Sequence, residues 1–200
     1  MGVLRAFIAI DLPIEVRQNL AKVMHKLQRQ LEGYPVRWVT PGNIHLTLKF
    51  LGDVSEHNLS VLTHLLEGEV QTHPPFEFSV GQVGAFPDVR RPRVIWVGVE
   101  APDELFSLQR GIDQAMAKLG YAHERRTYQP HLTLGRVARN ASGAEVRAIG
   151  HYIQKAHVGF LGSVRATEVH LYRSDLEPTG PAYTRLFTSQ LNFKAPPAIL

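Results

Sequence analysis

An α+β fold of two like lobes, each a mostly antiparallel sheet with helices packed outside, is what this 200-residue sequence predicts. Three observations lead there. Strand-like and helix-like segments alternate as strand, helix, strand, helix, strand, and the order runs through twice, the second time from near residue 94. One tetrapeptide, His-Leu-Thr-Leu, stands at the same place in both runs, at 45–48 and 131–134. Several connections read as hairpins, which favours antiparallel or mixed sheets over a parallel one. The repeating unit is too long for a solenoid. The expected organisation is one domain, 1–200, of two pseudo-symmetric halves, about 1–90 and 91–193, with a frayed tail over 194–200.

Each element has a local cause. Val3 to Ile10 is rich in Ile, Val and Phe and reads as a buried strand. Pro13 suits the first turn of a helix. Leu20, Val23, Met24, Leu27 and Leu31 then recur at helical spacing until Gly33 stops it. Val36 to Val39 reads as a short strand and Ile44 to Leu51 as a longer, alternating one. Ser55 is a cap for the next helix, whose stripe is Leu59, Leu62 and Leu66 with Leu65 beside it. Phe76 to Ala85 is extended. In the second run Val94 to Val99 is a strand. A helix follows near Pro102, with Leu105, Leu108, Ile112, Met116 and Leu119 on one face and Gly120 at its end. Pro130 to Val137 is the next strand. Ser142 and Glu145 have capping-box spacing ahead of Val146, Ile149 and Ile153. Val164 to Tyr172 and Tyr183 to Leu191 are extended.

Composition narrows the function. Hydrophobic residues make up 44% and charged residues 20%, enough for a packed core. The absence of cysteine excludes disulfides, thiolate metal sites and a cysteine nucleophile. Residues 1–11 lack the pattern of a signal peptide, and no run approaches the roughly 20 apolar residues of a membrane span. A cytoplasmic protein without a membrane partner is therefore expected. The net charge of +4, from 22 Lys and Arg against 18 Asp and Glu, suits a polyanionic partner.

The repeated tetrapeptide carries the chemistry. In a strand, residues two apart share a face. His45 and Thr47 therefore point one way, and Ile44, Leu46, Leu48 and Phe50 point the other way into a core. His131 and Thr133 share a face likewise, backed by Leu132 and Leu134. Each half presents one imidazole and one hydroxyl, about 7 Å apart along the strand. If the halves face each other, two histidines and two threonines line one cleft. A neutral imidazole takes a proton from water, an imidazolium gives one to a departing alkoxide, and both forms are accessible near neutrality. The hydroxyls hydrogen-bond non-bridging phosphate oxygens. The set suits attack on a phosphodiester. It does not suit a metal: threonine is a weak ligand, neither motif has an adjacent acid or second histidine, and Asp53 has only Ala138 at the matching place. No metal and no cofactor are expected.

On these residues the chain resembles the 2H phosphoesterases, and within them the RNA 2′,3′-cyclic phosphodiesterases also called 2′-5′ RNA ligases. The resembling stretches are Phe7-Ile8-Ala9-Ile10, His45 to Gly52, Pro92 to Val97, Pro130 to Arg136 and Leu171 to Ser174, in the family's order along nearly the whole chain. The resemblance implies an active cleft between two lobes and metal-free hydrolysis of a terminal 2′,3′-cyclic phosphate to a 2′-phosphate. It implies His45 as proton donor, His131 as proton acceptor, and Thr47 and Thr133 as phosphate holders. It also implies joining of RNA ends through a 2′-5′ bond, the same chemistry reversed. RNA with a cyclic phosphate end, tRNA fragments included, is the expected partner of a monomeric enzyme. The rivals are a related enzyme for another cyclic or 2′-5′ phosphoester and an RNA-end-binding module without chemistry.

Further residues are weighed around this pair. Arg136 pairs with phosphate only if a bulge at Gly135 turns it to the histidine's face. Phe7, Trp38 and Phe86 are considered for stacking on a base, against packing in the core. Arg90, Arg91 and Arg93 beside a Gly-Ala-Phe-Pro loop are considered for tracking an RNA backbone, as are Arg125 and Arg126. Lys49 follows His45 and Thr47 on the same face. The other eight histidines read as incidental.

Overall fold

The structure is a computed structural model that describes residues 2–177 and 180–194. Of the tail expected over 194–200, only Lys194 lies within the described residues. Among the described residues nine strands and four α-helices follow in order: β1 Val3–Ile10, α1 Ile14–Gln30, β2 Val36–Trp38, β3 Leu46–Ser55, α2 Leu59–Val70, β4 Phe76–Phe86, β5 Val94–Glu100, α3 Asp103–Ala117, β6 His131–Val137, α4 Gly143–Lys155, β7 Phe160–Ala166, β8 Glu168–Glu177 and β9 Gly180–Gln190. The strands form two antiparallel sheets, ordered β3-β1-β8-β9 and β2-β6-β5-β4-β7. This is the two-lobed α+β architecture the sequence predicts.

Most elements stand where their periodicity puts them. The stripe of α1 buries Leu20, Met24, Leu27 and Leu31, and α3 buries Leu105, Leu108, Ile112 and Met116. Ser142 and Glu145 form the reciprocal capping box, at 3.2 and 2.7 Å. Three expectations shift. Ser55 makes no side-chain cap, because a 3-10 turn over Glu56–Asn58 separates it from α2. The strand expected from Ile44 starts at Leu46, after a 3-10 turn over Pro41–Asn43. The segment 164–172 is not one extended run: it breaks at Thr167 into β7 and β8, which lie in different sheets.

The two sheets do not coincide with the two sequence halves. Strands β2 and β4 of the first half join the second sheet, and β8 and β9 close the first. One continuous core therefore takes residues from both halves, including Ile8, Leu46 and Leu62 beside Val97, Leu132 and Leu171. A smaller cluster under α4 holds Leu31, Ala85, Ile95, Val137, Ile149 and Ile153. Exchange of strands makes the halves interdependent, since neither sheet is complete without both.

Two irregularities in this frame decide how the site is built. In β3, Thr47 pairs with Ala9 and Lys49 with Ile8, leaving Leu48 as an extra residue. In β6, Thr133 pairs with Trp96 and Gly135 with Ile95, leaving Leu134 extra. The same bulge thus follows each His-Leu-Thr, and in each strand it reverses the inward and outward phase of the residues just after it, Lys49 and Phe50 in β3 and Gly135 and Arg136 in β6.

Candidate active site

The two histidines are held in the same way. Each stands at the opening of its strand, half-buried, after a residue whose carbonyl turns back toward the ring. His45 Nδ1 donates to the Asn43 carbonyl at 2.8 Å, and His131 Nδ1 donates to the Gln129 carbonyl at 2.7 Å. A carbonyl oxygen only accepts, so the proton of each neutral ring sits on Nδ1 and Nε2 is left as the free, basic nitrogen. Behind His45, the Asn43 side chain donates to the Pro181 carbonyl at 2.7 Å and ties the turn to β9.

Aromatic rings fix the imidazoles further. Phe7 stacks on His45 with centroids 4.6 Å apart, and its other neighbours are Tyr172 at 5.4 Å and Tyr183 at 4.9 Å. Tyr183 meets His45 edge-on at 5.4 Å. In the other sheet Phe86 meets His131 edge-on at 4.8 Å. Trp96 lies beside Phe86 over Gly84, where a Cβ would fall 2.3 Å from the indole ring.

A cleft of about 730 Å³ holds Thr47, Phe50, Phe86 and His131 together with the loop 122–129. The loop is anchored at two points. Tyr128 donates its hydroxyl to the Thr47 carbonyl at 2.9 Å, and burial holds that hydroxyl's pKa well above the ordinary value. Lys49 donates to the Ala122 carbonyl at 2.8 Å and pairs with Asp113. Arg136 is exposed and acts electrostatically on both His131 and Tyr183, the ring that touches His45. It therefore reaches the histidines' side, as the bulge allows. The bulge falls one residue earlier than the Gly135 position considered from sequence, at Leu134.

The electrostatics of the two rings differ. Burial lowers the pKa of both. At His45 the Asn43 carbonyl and the Asp11 carboxylate oppose that shift. At His131 the Gln129 carbonyl opposes it, but the Arg136 guanidinium adds to it. An anion thus favours the imidazolium at 45, and a cation favours the neutral ring at 131. Asp11 is itself held by the Tyr172 hydroxyl at 2.8 Å and by Arg185. Burial and Asp11 push the Tyr172 hydroxyl up to about 12, so it remains a donor.

Several sequence-predicted positions are corrected. Phe50, read as core, is 67% exposed and lines the cleft. Lys49, read as sharing the face of His45 and Thr47, borders the cleft but is only 6% exposed, its ammonium bonded to Asp113. The Leu48 bulge causes both changes. Phe7 is no base platform: it is 3% exposed, its neighbours being His45 and Tyr172. Trp38 packs against both core clusters, opposite Gly135. Phe86 lies in the cleft, half-buried. Arg125 and Arg126 line the cleft, whereas Arg90, Arg91 and Arg93 line a separate pocket. His170, read as incidental, is 2% exposed and donates toward or accepts from Thr188 while lying 3.7 Å from Asp11. Phe50, Asp11, Tyr172 and Tyr183 went unseen. A bulge at Gly135, repeated at the matching place in the first strand, is the signal that would have found Phe50. Among the described residues, no three His, Asp or Glu converge as a metal site.

Residues 10–96 and 97–183 each match the family described as LigT like Phosphoesterase. A protein of Methanothermobacter thermautotrophicus, named RNA 2′,3′-cyclic phosphodiesterase, is 38% identical over 180 residues, covering 90% of this chain and 95% of the relative. An Escherichia coli protein of the same name is 32% identical over 183 residues, covering 91% and 93%. The crystal structure of TT0787 of Thermus thermophilus superposes with a TM-score of 0.78 at 27% identity, covering 96% of this chain and 100% of that one. The structure of E. coli LigT complexed with 3′-AMP superposes with a TM-score of 0.74 at 29% identity, covering 95% and 99%.

Proposed function

The chain belongs to the LigT like Phosphoesterase family, and from that premise we propose that it opens 2′,3′-cyclic phosphates at RNA ends, leaving a 2′-phosphate, with His45 as proton donor and His131 as proton acceptor. One observation carries the assignment. Two imidazoles present Nε2 through the same backbone bond, while Asp11 favours the cation at one and Arg136 disfavours it at the other.

The step balances with no further reactant than water. His131 Nε2 removes a proton from the attacking water as its oxygen bonds to phosphorus. The bond from phosphorus to the 3′ oxygen breaks, and His45 gives its Nε2 proton to that oxygen. The products are a 2′-phosphate and a 3′-hydroxyl, with the protonation states of the histidines exchanged. Thr47, Thr133 and Arg136 bind the non-bridging oxygens as charge gathers there. Reversed, with a ribose hydroxyl in place of water, the same groups form a 2′-5′ bond. Phe86 and Phe50 border the space for the terminal nucleotide, where a base has a ring face to stack on. The names of the relatives and the 3′-AMP held by the E. coli protein support an RNA substrate. We read the protein as a monomer that acts on cleaved RNAs, tRNA fragments among them, and as one catalytic domain of two halves.

The test is hydrolysis of a short RNA ending in a 2′,3′-cyclic phosphate, in excess EDTA. A 2′-phosphate product is expected. No product from folded protein would move the assignment to another cyclic or 2′-5′ phosphoester.

The electrostatic bias makes a separate prediction about pH. With His131 needed neutral and His45 needed charged, kcat/KM follows a bell. Burial lowers both rings, so the bell centres on the acid side of the ordinary imidazole value of 6.5. Arg136→Gln removes a cation beside His131, raises its proton affinity and moves the acid limb to higher pH. Asp11→Asn removes an anion near His45, lowers its proton affinity and moves the alkaline limb to lower pH. Each variant narrows the bell from a different side. Limbs that move the opposite way, or stay still, would reverse or remove the donor and acceptor assignment.

A further inference from the structure

A second basic pocket, of about 510 Å³, is separate from the cleft, and the consecutive residues Phe86 and Pro87 link the two. Four arginines line it, Arg90, Arg91, Arg93 and Arg147, and no carboxylate does. Asp88 sits just outside. It caps the loop, accepting from the backbone N–H groups of Arg90 and Arg91 at 2.7 and 3.0 Å, and lies 3.7 Å from the Arg91 guanidinium. Arg93 directs one N–H to the Ala138 carbonyl at 3.2 Å. Among the described residues Arg90 and Arg147 have no carboxylate partner. The cationic groups of this pocket thus exceed what the protein itself neutralises.

The pocket is preformed and it is close to the chemistry. The loop that carries Arg90 and Arg91 is seated against α4, which carries Arg147. At Gly150 the approach is so close that a Cβ would fall 1.9 Å from the Val89 carbonyl oxygen. At the other end, Pro87 lines the pocket, and the residue before it, Phe86, meets the His131 ring. Arg125 and Arg126 line the cleft itself, so a strand whose terminal phosphate lies between the histidines meets them first and the pocket's arginines further on, past Phe86.

We infer that this pocket binds backbone phosphate of the RNA strand, upstream of the terminal cyclic phosphate. The inference rests on the RNA reading above. Guanidinium groups take phosphate oxygens two at a time, and such contacts position a strand without reading its bases. The consequence is a preference for oligonucleotides over cyclic mononucleotides, expressed in KM and in salt dependence.

The experiment measures binding apart from turnover. A fluorescein-labelled dodecamer RNA ending in a 2′-phosphate, the proposed product, is titrated by anisotropy over a salt series. The variant R90Q/R91Q/R147Q is compared with K22Q/K26Q/R29Q, which loses the same charge from exposed positions of α1. The arginine variant should bind about tenfold more weakly at low salt, with the log–log salt slope reduced by about 1–2. The α1 variant should stay near wild type, and hydrolysis of a cyclic mononucleotide should be unchanged in both. Equal losses in the two variants, an equal fall on the mononucleotide, or no binding of the dodecamer by wild type would overturn the pocket. Specific loss of binding in a protein that hydrolyses no cyclic phosphate would keep the pocket and sink the phosphodiesterase reading instead.

Discussion

Replacing His131 by alanine lowers turnover of a cyclic-phosphate RNA by roughly 10²–10⁴-fold while leaving the fold intact, the usual range for loss of one general acid or base. The ring is half-buried at the mouth of β6, and the carbonyl it holds, of Gln129, belongs to an exposed residue that water reaches. Its removal therefore leaves no buried group without a partner. His45→Ala reduces turnover over the same range. It also strips a ring that stacks on Phe7 and meets Tyr183 edge-on, so it costs more stability than His131→Ala. The double variant loses far less than the product of the two single losses, because donor and acceptor serve one step. Turnover numbers together with thermal melts check all three. A folded single variant that keeps more than about a tenth of wild-type turnover would remove that histidine from the chemistry.

Lys49→Met destabilises the protein by about 2–3 kcal/mol and lowers its melting temperature by roughly 4–10 °C. The Leu48 bulge carries the ammonium inside, where it bonds to Asp113 and to the Ala122 carbonyl. Removing one member of such a pair leaves the other charge uncompensated. The expected cost lies below that of a fully buried pair, because the Asp113 side chain keeps 14% of its surface in solvent. Burial pushes the Asp113 carboxyl up, but hydrogen bonds from Lys49, His123 and the Glu124 backbone outweigh it and hold the group below the usual carboxylate range. A lowered carboxyl pKa stabilises the fold above the unfolded value and ceases to do so as pH falls through the folded one. The deficit of the variant is therefore full near neutrality and shrinks in acid, a trend that urea unfolding at the two pH values detects. Asp113 also accepts from His123 at 2.7 Å, and the loop 122–129 forms a wall of the cleft. Loosening that wall raises KM more than it lowers kcat. Equal stability of variant and wild type at neutral pH would contradict the pair's structural role.

Both results turn on features of very different visibility. The histidines stand at the head of two identical tetrapeptides, so their strands, their spacing to Thr47 and Thr133 and their place in each run were all open to inspection. Lys49 is two residues past Thr47 and looked equivalent to it. What hid its role is the bulge, which exists only because β1 pairs with β3 in a shifted register. The same shift sends Phe50 to the cleft, and its counterpart at Leu134 brings Arg136 to the histidines' side. Phe7 and Trp38, each weighed between base stacking and core packing, fall to packing. An aromatic residue near a motif suggests a base platform, but only its neighbours reveal whether its faces are free, and here they are covered.

By itself, then, the sequence determined the order of strands and helices through α4, the apolar stripes of α1 and α3, the capping box of α4 and the two histidine-bearing strands. Each of these depends on residues within a few positions of one another, where periodicity and side-chain chemistry act directly. The tertiary structure alone decided that β2 and β4 cross into the second sheet while β8 and β9 complete the first. It alone decided which residues past each bulge turn inward, and that Asp11 comes near one imidazole while Arg136 comes near the other. Those outcomes depend on pairing between segments far apart in the chain, so no local pattern encodes them, and the electric field at each ring is a sum over neighbours that only the folded chain assembles.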